Sequence, residues 1–190
     1  MRERLSLPKP SGANPAWLAI PLVVLALFTL TVGLVAMQTV REPYATPFFH
    51  PFFTDIRHMK AWLATAAVAL ACSQLLTAAR LYELLRFPPK GRFYHYVHRW
   101  SGRAAIAFTL PVAYHCVFLL GFGTYSPRVL IHSLLGSALY GAVVAKVLIV
   151  RWTRFAPWVL PVAGSLLFAI LLGLWLTSAF WFFTAAPAAT

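Results

Sequence analysis

Two histidines, His115 and His132, stand in apolar runs on either side of a glycine-rich turn, within the stretch VAYHCVFLLGFGTYSPRVLIHSLLG. They are equidistant from the Gly123–Thr124 junction. If both runs are helices folded back on one another, the two imidazoles lie at one depth and face across the gap. Neutral imidazoles so placed are suited to holding a metal. Zinc asks for about four donors, and Cys116, adjacent to His115, projects about 100° away around the helix. A porphyrin iron needs only two axial ligands, and its apolar macrocycle tolerates surroundings of this kind. These residues point to haem b held between His115 and His132.

Neighbours at helical spacing fit that reading. Gly136 follows His132 by one helical turn and leaves room where a flat ring would otherwise strike a side chain. Arg128 precedes His132 by the same interval, where a guanidinium could pair with a propionate carboxylate. Both have plainer readings, since glycines let helices pack closely and arginines mark interfaces. The H-x-x-x-G pattern recurs as His98 and Gly102. His98 lies about 25 Å along the helix from His115, a separation suited to a second haem. No histidine follows His132 to serve as its partner, so one haem is favoured over two. A quinone-site, structural or propionate-binding role for His98 is expected instead. His50, Asp55, Arg57 and His58 form a further protonatable group. His58 there is an alternative axial ligand, part of a quinol-oxidation or proton-release site, or an ordinary polar rim.

The elements that must carry these residues are helices in a bilayer. Mean hydropathy is +0.75 and 61% of residues are hydrophobic, well above the balance of soluble domains. Five apolar stretches, at about 15–38, 58–85, 94–120, 127–150 and 158–183, are each long enough to cross a membrane. The second is expected to run on through RLYELLRF, with Glu83 neutralised by Arg80 and Arg86. The first is too long for the apolar part of a signal peptide and is read as retained. Mostly short connections predict that sequence neighbours pack antiparallel. The expected fold is a single all-α integral membrane domain, an up-down bundle of five transmembrane helices over residues 15–190, behind an N-terminal tail of residues 1–14.

Sixteen Lys and Arg against four Asp and Glu give a net charge of +12. The distribution argues against nucleic acid. Arg2, Arg4 and Lys9 precede the first span, and Arg80, Arg86, Lys90, Arg92, Arg99 and Arg103 cluster around the second connection. Lys146, Arg151 and Arg154 close the fourth span, whereas the other side carries Arg41, Arg57, Lys60 and Arg128. That asymmetry places the N-terminus in the cytoplasm and the Gly123 turn outside. Cys72 and Cys116 fall in predicted spans and behave as small apolar residues. The absence of C-x-x-C-H gives no support for covalent haem attachment.

The stretches HRWSGRAAIAFTLPVAYH and IHSLLG resemble membrane haem-b proteins of the cytochrome b561 and ferric-reductase-like transmembrane type. In those families a helix opens with H-[RK]-x-x-G-R and carries a second histidine further in, paired with histidines on a facing helix. His98, Arg99, Gly102 and Arg103 match the opening, His115 the second histidine and His132 the facing one. The likeness covers about a third of the chain. Those families supply four ligands for two haems, whereas one facing histidine is present here. The chain also resembles a group of five-helix membrane proteins from high-GC actinobacteria. The resemblance implies electron transfer in the cytoplasmic membrane, between the quinone pool and an extracytoplasmic redox partner or larger respiratory complex. With no substrate site apparent, a redox subunit is expected rather than a self-contained enzyme. The alternative is a non-redox structural or assembly subunit of a respiratory complex.

Overall fold

The computed structural model describes residues 15–40, 52–85, 91–152 and 154–185. These residues are all-helical, with no strand among them. A 3-10 turn, Pro15–Leu18, leads into α1, Ala19–Gln38. Helix α2 is Ile56–Leu81 and α3 is Arg92–His115, which continues as a π-helical turn over Cys116–Leu120. Helix α4 is Pro127–Arg151. Helix α5, Val159–Trp175, passes through a second π turn, Leu176–Phe180, into the short α6, Trp181–Ala185. Five of the resulting rods are long and apolar enough to cross a membrane.

Local chemistry sets their ends. Asp55 caps α2 by accepting from the Arg57 and His58 amides at 2.7 and 2.9 Å. Ser126 caps α4 and Pro127 occupies its first turn, where a missing amide hydrogen costs nothing. Helix α2 ends at Leu81, short of the expected run through Phe87. Glu83 turns into the left-handed region at φ 64°, and the Glu83 and Leu84 amides close back on the carbonyls of Arg80 and Ala79. That is a Schellman-type stop, so Glu83 belongs to a cap and not to a helix face. Arg86, its expected partner, lies outside the described residues, as do His50 and the basic residues of the N-terminal tail.

Packing departs from the expected succession of neighbours. Helix α2 lies on α3 and α4 on α5, as expected, but α1 packs on α4 and α5 also touches α2. Helices α3 and α4, though consecutive, do not pack backbone to backbone along their length. They are tied instead by long reach, with Thr109 and Tyr140 sharing a hydrogen bond at 3.0 Å. The six-residue turn allows this because it docks elsewhere, on the end of α1. Thr39 donates to the Val117 carbonyl at 2.8 Å, and the Phe122 amide to that of Ala36 at 2.9 Å. Gly121 makes that approach at φ 68°, where a Cβ would lie 2.9 Å from the Ala36 oxygen.

The buried centre, Ala67, Ala71, Leu139, Ala142, Ile170 and Leu171, comes from α2, α4 and α5 and is rich in small side chains. Small residues let helices approach where apolar surroundings supply little drive to associate. The perimeter is the reverse of a soluble protein, with Leu22, Leu30, Leu34 and Leu76 exposed. Gly141 is the tightest point of the α1–α4 contact, since a Cβ there would stand 2.7 Å from the Leu25 carbonyl oxygen. A backbone oxygen in a helix cannot step aside. Gly141→Ala is therefore expected to cost about 1–3 kcal/mol through overpacking. Thermal unfolding of the detergent-solubilised variant checks this, and an unchanged midpoint would contradict it.

Candidate functional site

His115 is the last residue of α3 and lies five residues before the π turn ends at Leu120. His132 lies five residues into α4 from Pro127. Counted along the helices, both stand about 6–8 Å from the turn end of the bundle. The two histidines thus stand at matching residue counts from the turn, on helices that do not pack directly on one another. Lys60, one turn into α2, is near enough for its charge to reach His115, Cys116 and His132 alike, so these groups share one region.

The two rings are held differently. His132 Nδ1 lies 3.0 Å from Thr177 Oγ1. Thr177 donates its own proton to the Gly173 carbonyl at 2.7 Å, so its oxygen accepts from the imidazole. That network assigns the hydrogen to Nδ1 of His132 and leaves the lone pair on Nε2. A second-sphere acceptor of this kind is what orients a metal-binding imidazole. His115 is only 1% exposed, and its Nδ1 has no hydrogen-bond partner among the described residues. Buried polar atoms in native proteins are nearly always satisfied, so this nitrogen asks for a partner. Its ring meets Tyr114 edge-on at 5.6 Å.

Both π turns flank this pair, one beginning directly after His115 and the other carrying Thr177. Such turns are rare and often mark functional positions. Arg128 donates to the Thr177 carbonyl and stacks over the Trp181 ring, 3.9 Å from its centroid. Its remaining N–H donors stay one turn from His132.

A Cβ at Gly136 would meet only Leu174 Cδ2, at an ordinary 3.8 Å, so helix packing does not demand the glycine. Gly102 differs, because a Cβ would come within 3.0 Å of Gln74 Oε1. Its small size is accounted for by the α2–α3 contact. His98 lies at the opposite end of the bundle from His115, with Nδ1 2.9 Å from Thr77 Oγ1.

His58 Nδ1 hydrogen-bonds the Asp55 carboxylate at 2.8 Å and the ring meets Phe182 edge-on at 5.1 Å, with the side chain 44% exposed. Its amide and its ring both engage the carboxylate that caps α2. The Asp55 carboxyl is held below the usual carboxylate range, chiefly by the His58 amide, with the His58 ring and the Arg57 amide adding and burial opposing. A depressed folded-state value means that this stabilisation is complete above the ordinary carboxylate range. It is lost as pH falls through the depressed value. Asp55→Ala is expected to remove about 1 kcal/mol at neutral pH. Asp55→Asn should keep a cap while losing the acid dependence, read by thermal unfolding across acid pH. Equal acid dependence in Asp55→Asn and the wild type would contradict it.

Sequence reasoning did not single out Thr177, Tyr140 or Thr109, nor assign Lys60 to the site. The available signal was depth: Thr177 stands about as far from the end of its span as His132 does from the start of its own.

A model described as a family of unknown function (DUF6529) matches residues 17–189, from the start of α1 to beyond α6. No curated protein and no solved structure matches the chain.

Proposed function

We propose that this chain, which belongs to the DUF6529 family of unknown function, is a haem-b electron-transfer subunit of a bacterial cytoplasmic membrane. It relays electrons between the quinone pool and an extracytoplasmic redox partner. The N-terminus lies in the cytoplasm, as the basic residues ask, and lipid covers the exposed leucines of the perimeter. The observation that carries the reading is the level pair at the turn end. His132 keeps Nε2 free through the Thr177 contact, and His115 is buried with an unsatisfied nitrogen.

The residues fit a bis-histidine porphyrin site. Among the described residues no three His, Cys, Asp or Glu side chains converge as metal ligands. A porphyrin iron makes no such demand, since its ring supplies four donors. When bound, haem b supplies one-electron chemistry. His132 and His115 would hold the iron, with Thr177 fixing the orientation of the His132 ring. The helix separation between α3 and α4 suits a flat ligand. Arg128 and Lys60 supply positive charge at the turn end, where carboxylates of a porphyrin would be favoured. Ligand type, burial and these charges set the potential.

One observation favours a second reading, a non-redox structural or assembly subunit. His132 and His98 each bond a threonine on a neighbouring helix, which by itself holds helices together. Electron paramagnetic resonance of protein produced with haem supplied separates the two. A low-spin ferric signal of bis-imidazole type supports the relay. Folded protein without haem, still bound to its partners, supports the scaffold.

A further inference from the structure

The bundle carries a second polar group at the end opposite the turn. His98 lies about 9 Å into α3 from Arg92, and Lys146 about 7–8 Å before the end of α4 at Arg151. They belong to the two helices of the same unpacked α3–α4 boundary, both beyond the Thr109–Tyr140 bridge. The charge of Lys146 reaches His98.

Here too the hydrogen bonds fix a tautomer. Thr77 donates to the Ser73 carbonyl at 2.7 Å, so its oxygen accepts from Nδ1 of His98 at 2.9 Å. Nε2 of His98 therefore keeps its lone pair and acts as an acceptor. The Gln74 amide clamps the segment by donating to the His98 carbonyl and to Ser101 Oγ. Lys146 is half-buried and makes no hydrogen bond or ion pair among the described residues. A cation at this depth is costly without an acceptor. The pair thus offers one acceptor, Nε2, and one charged donor, Nζ.

A phosphate or carboxylate is a poor match, because it presents acceptors to an imidazole that is itself accepting. A hydroquinone ring presents an O–H to one side and an oxygen acceptor to the other, with an apolar tail suited to lipid. We propose that His98 and Lys146 bind the headgroup of a membrane hydroquinone, with Thr77 as a positioning residue. The choice of hydroquinone rests on the electron-relay reading, whereas the donor–acceptor pair stands without it.

The test is anaerobic calorimetric titration of the full chain in nanodiscs with decyl-ubiquinol, with haem content measured in the same samples. His98→Leu and Lys146→Met are each expected to weaken binding about ten-fold, the loss of one strong hydrogen bond. Lys146→Met breaks no hydrogen bond or ion pair among the described residues, so it reports even if His98→Leu fails to assemble. Thr77→Val should weaken binding by less, whereas Thr77→Ser, which keeps the hydroxyl, should bind as the wild type does. Wild-type affinity in Lys146→Met, no binding by the wild type, or displacement of the hydroquinone by inorganic phosphate would each overturn the proposal. Haem-loaded protein that ignores decyl-ubiquinol would sink this inference alone. Haem-free protein whose hydroquinone binding is lost in both variants would sink the relay and support this site.

Discussion

His132→Ala is expected to yield folded protein without bound haem b. His132 is the donor whose ring the chain orients most firmly, through Nδ1 to Thr177. Alanine removes the only imidazole on α4, so no nearby residue of that helix can replace it. The half-buried ring makes one side-chain bond, so its loss should cost the fold little beside its effect on the cofactor. Haem retention should fall by at least the roughly 10- to 100-fold that losing even a supporting residue costs a metal site. Thr177→Val provides the graded control. It keeps Nε2 but removes the acceptor for Nδ1–H, so haem should remain while its potential shifts. Redox titration and visible spectra of the two variants check this. Full retention in His132→Ala would remove α4 from the site.

His115→Ala carries the second large effect and also decides between partners. His115 is almost fully buried with an unsatisfied Nδ1, whereas His58 is already engaged with Asp55 and largely open. The site therefore loses its chromophore in His115→Ala, again about ten-fold or more, and keeps it in His58→Ala. The reverse pattern would make His58 the partner of His132. Unfolding adds an independent readout. Without haem, His115→Leu removes the buried unsatisfied nitrogen while filling most of its volume, and should not destabilise the chain greatly. Large destabilisation of the haem-free variant would mean that the ring serves packing.

Most of the architecture was legible because helices long and apolar enough to cross a membrane announce themselves by length and hydropathy. The spans agree with expectation to within a residue or two at most ends. The main discrepancy, at the end of α2, arose because RLYELLRF reads as helix by composition. The left-handed turn at Glu83 is a backbone property that no periodicity displays. The depth of His115 and His132 followed from counting residues about the turn. Which helices pack together did not, since the turn's attachment to α1 depends on a single glycine and two hydrogen bonds to backbone carbonyls. Gly102 and Gly136 share the same local pattern with histidine, yet one abuts Gln74 and the other has room. A motif could not separate them. Thr177 lay hidden for a similar reason, because its value comes from a π turn that realigns the end of α5 with His132.

A haem held by His115 and His132 at the turn end can be quantified directly. The most direct test is pyridine haemochrome quantification of purified protein expressed with haem supplied, alongside a dithionite-reduced minus air-oxidised spectrum. The account predicts a sharp reduced alpha band and about one haem b per chain, two axial histidines serving one iron. Well-folded protein with a flat difference spectrum would contradict it.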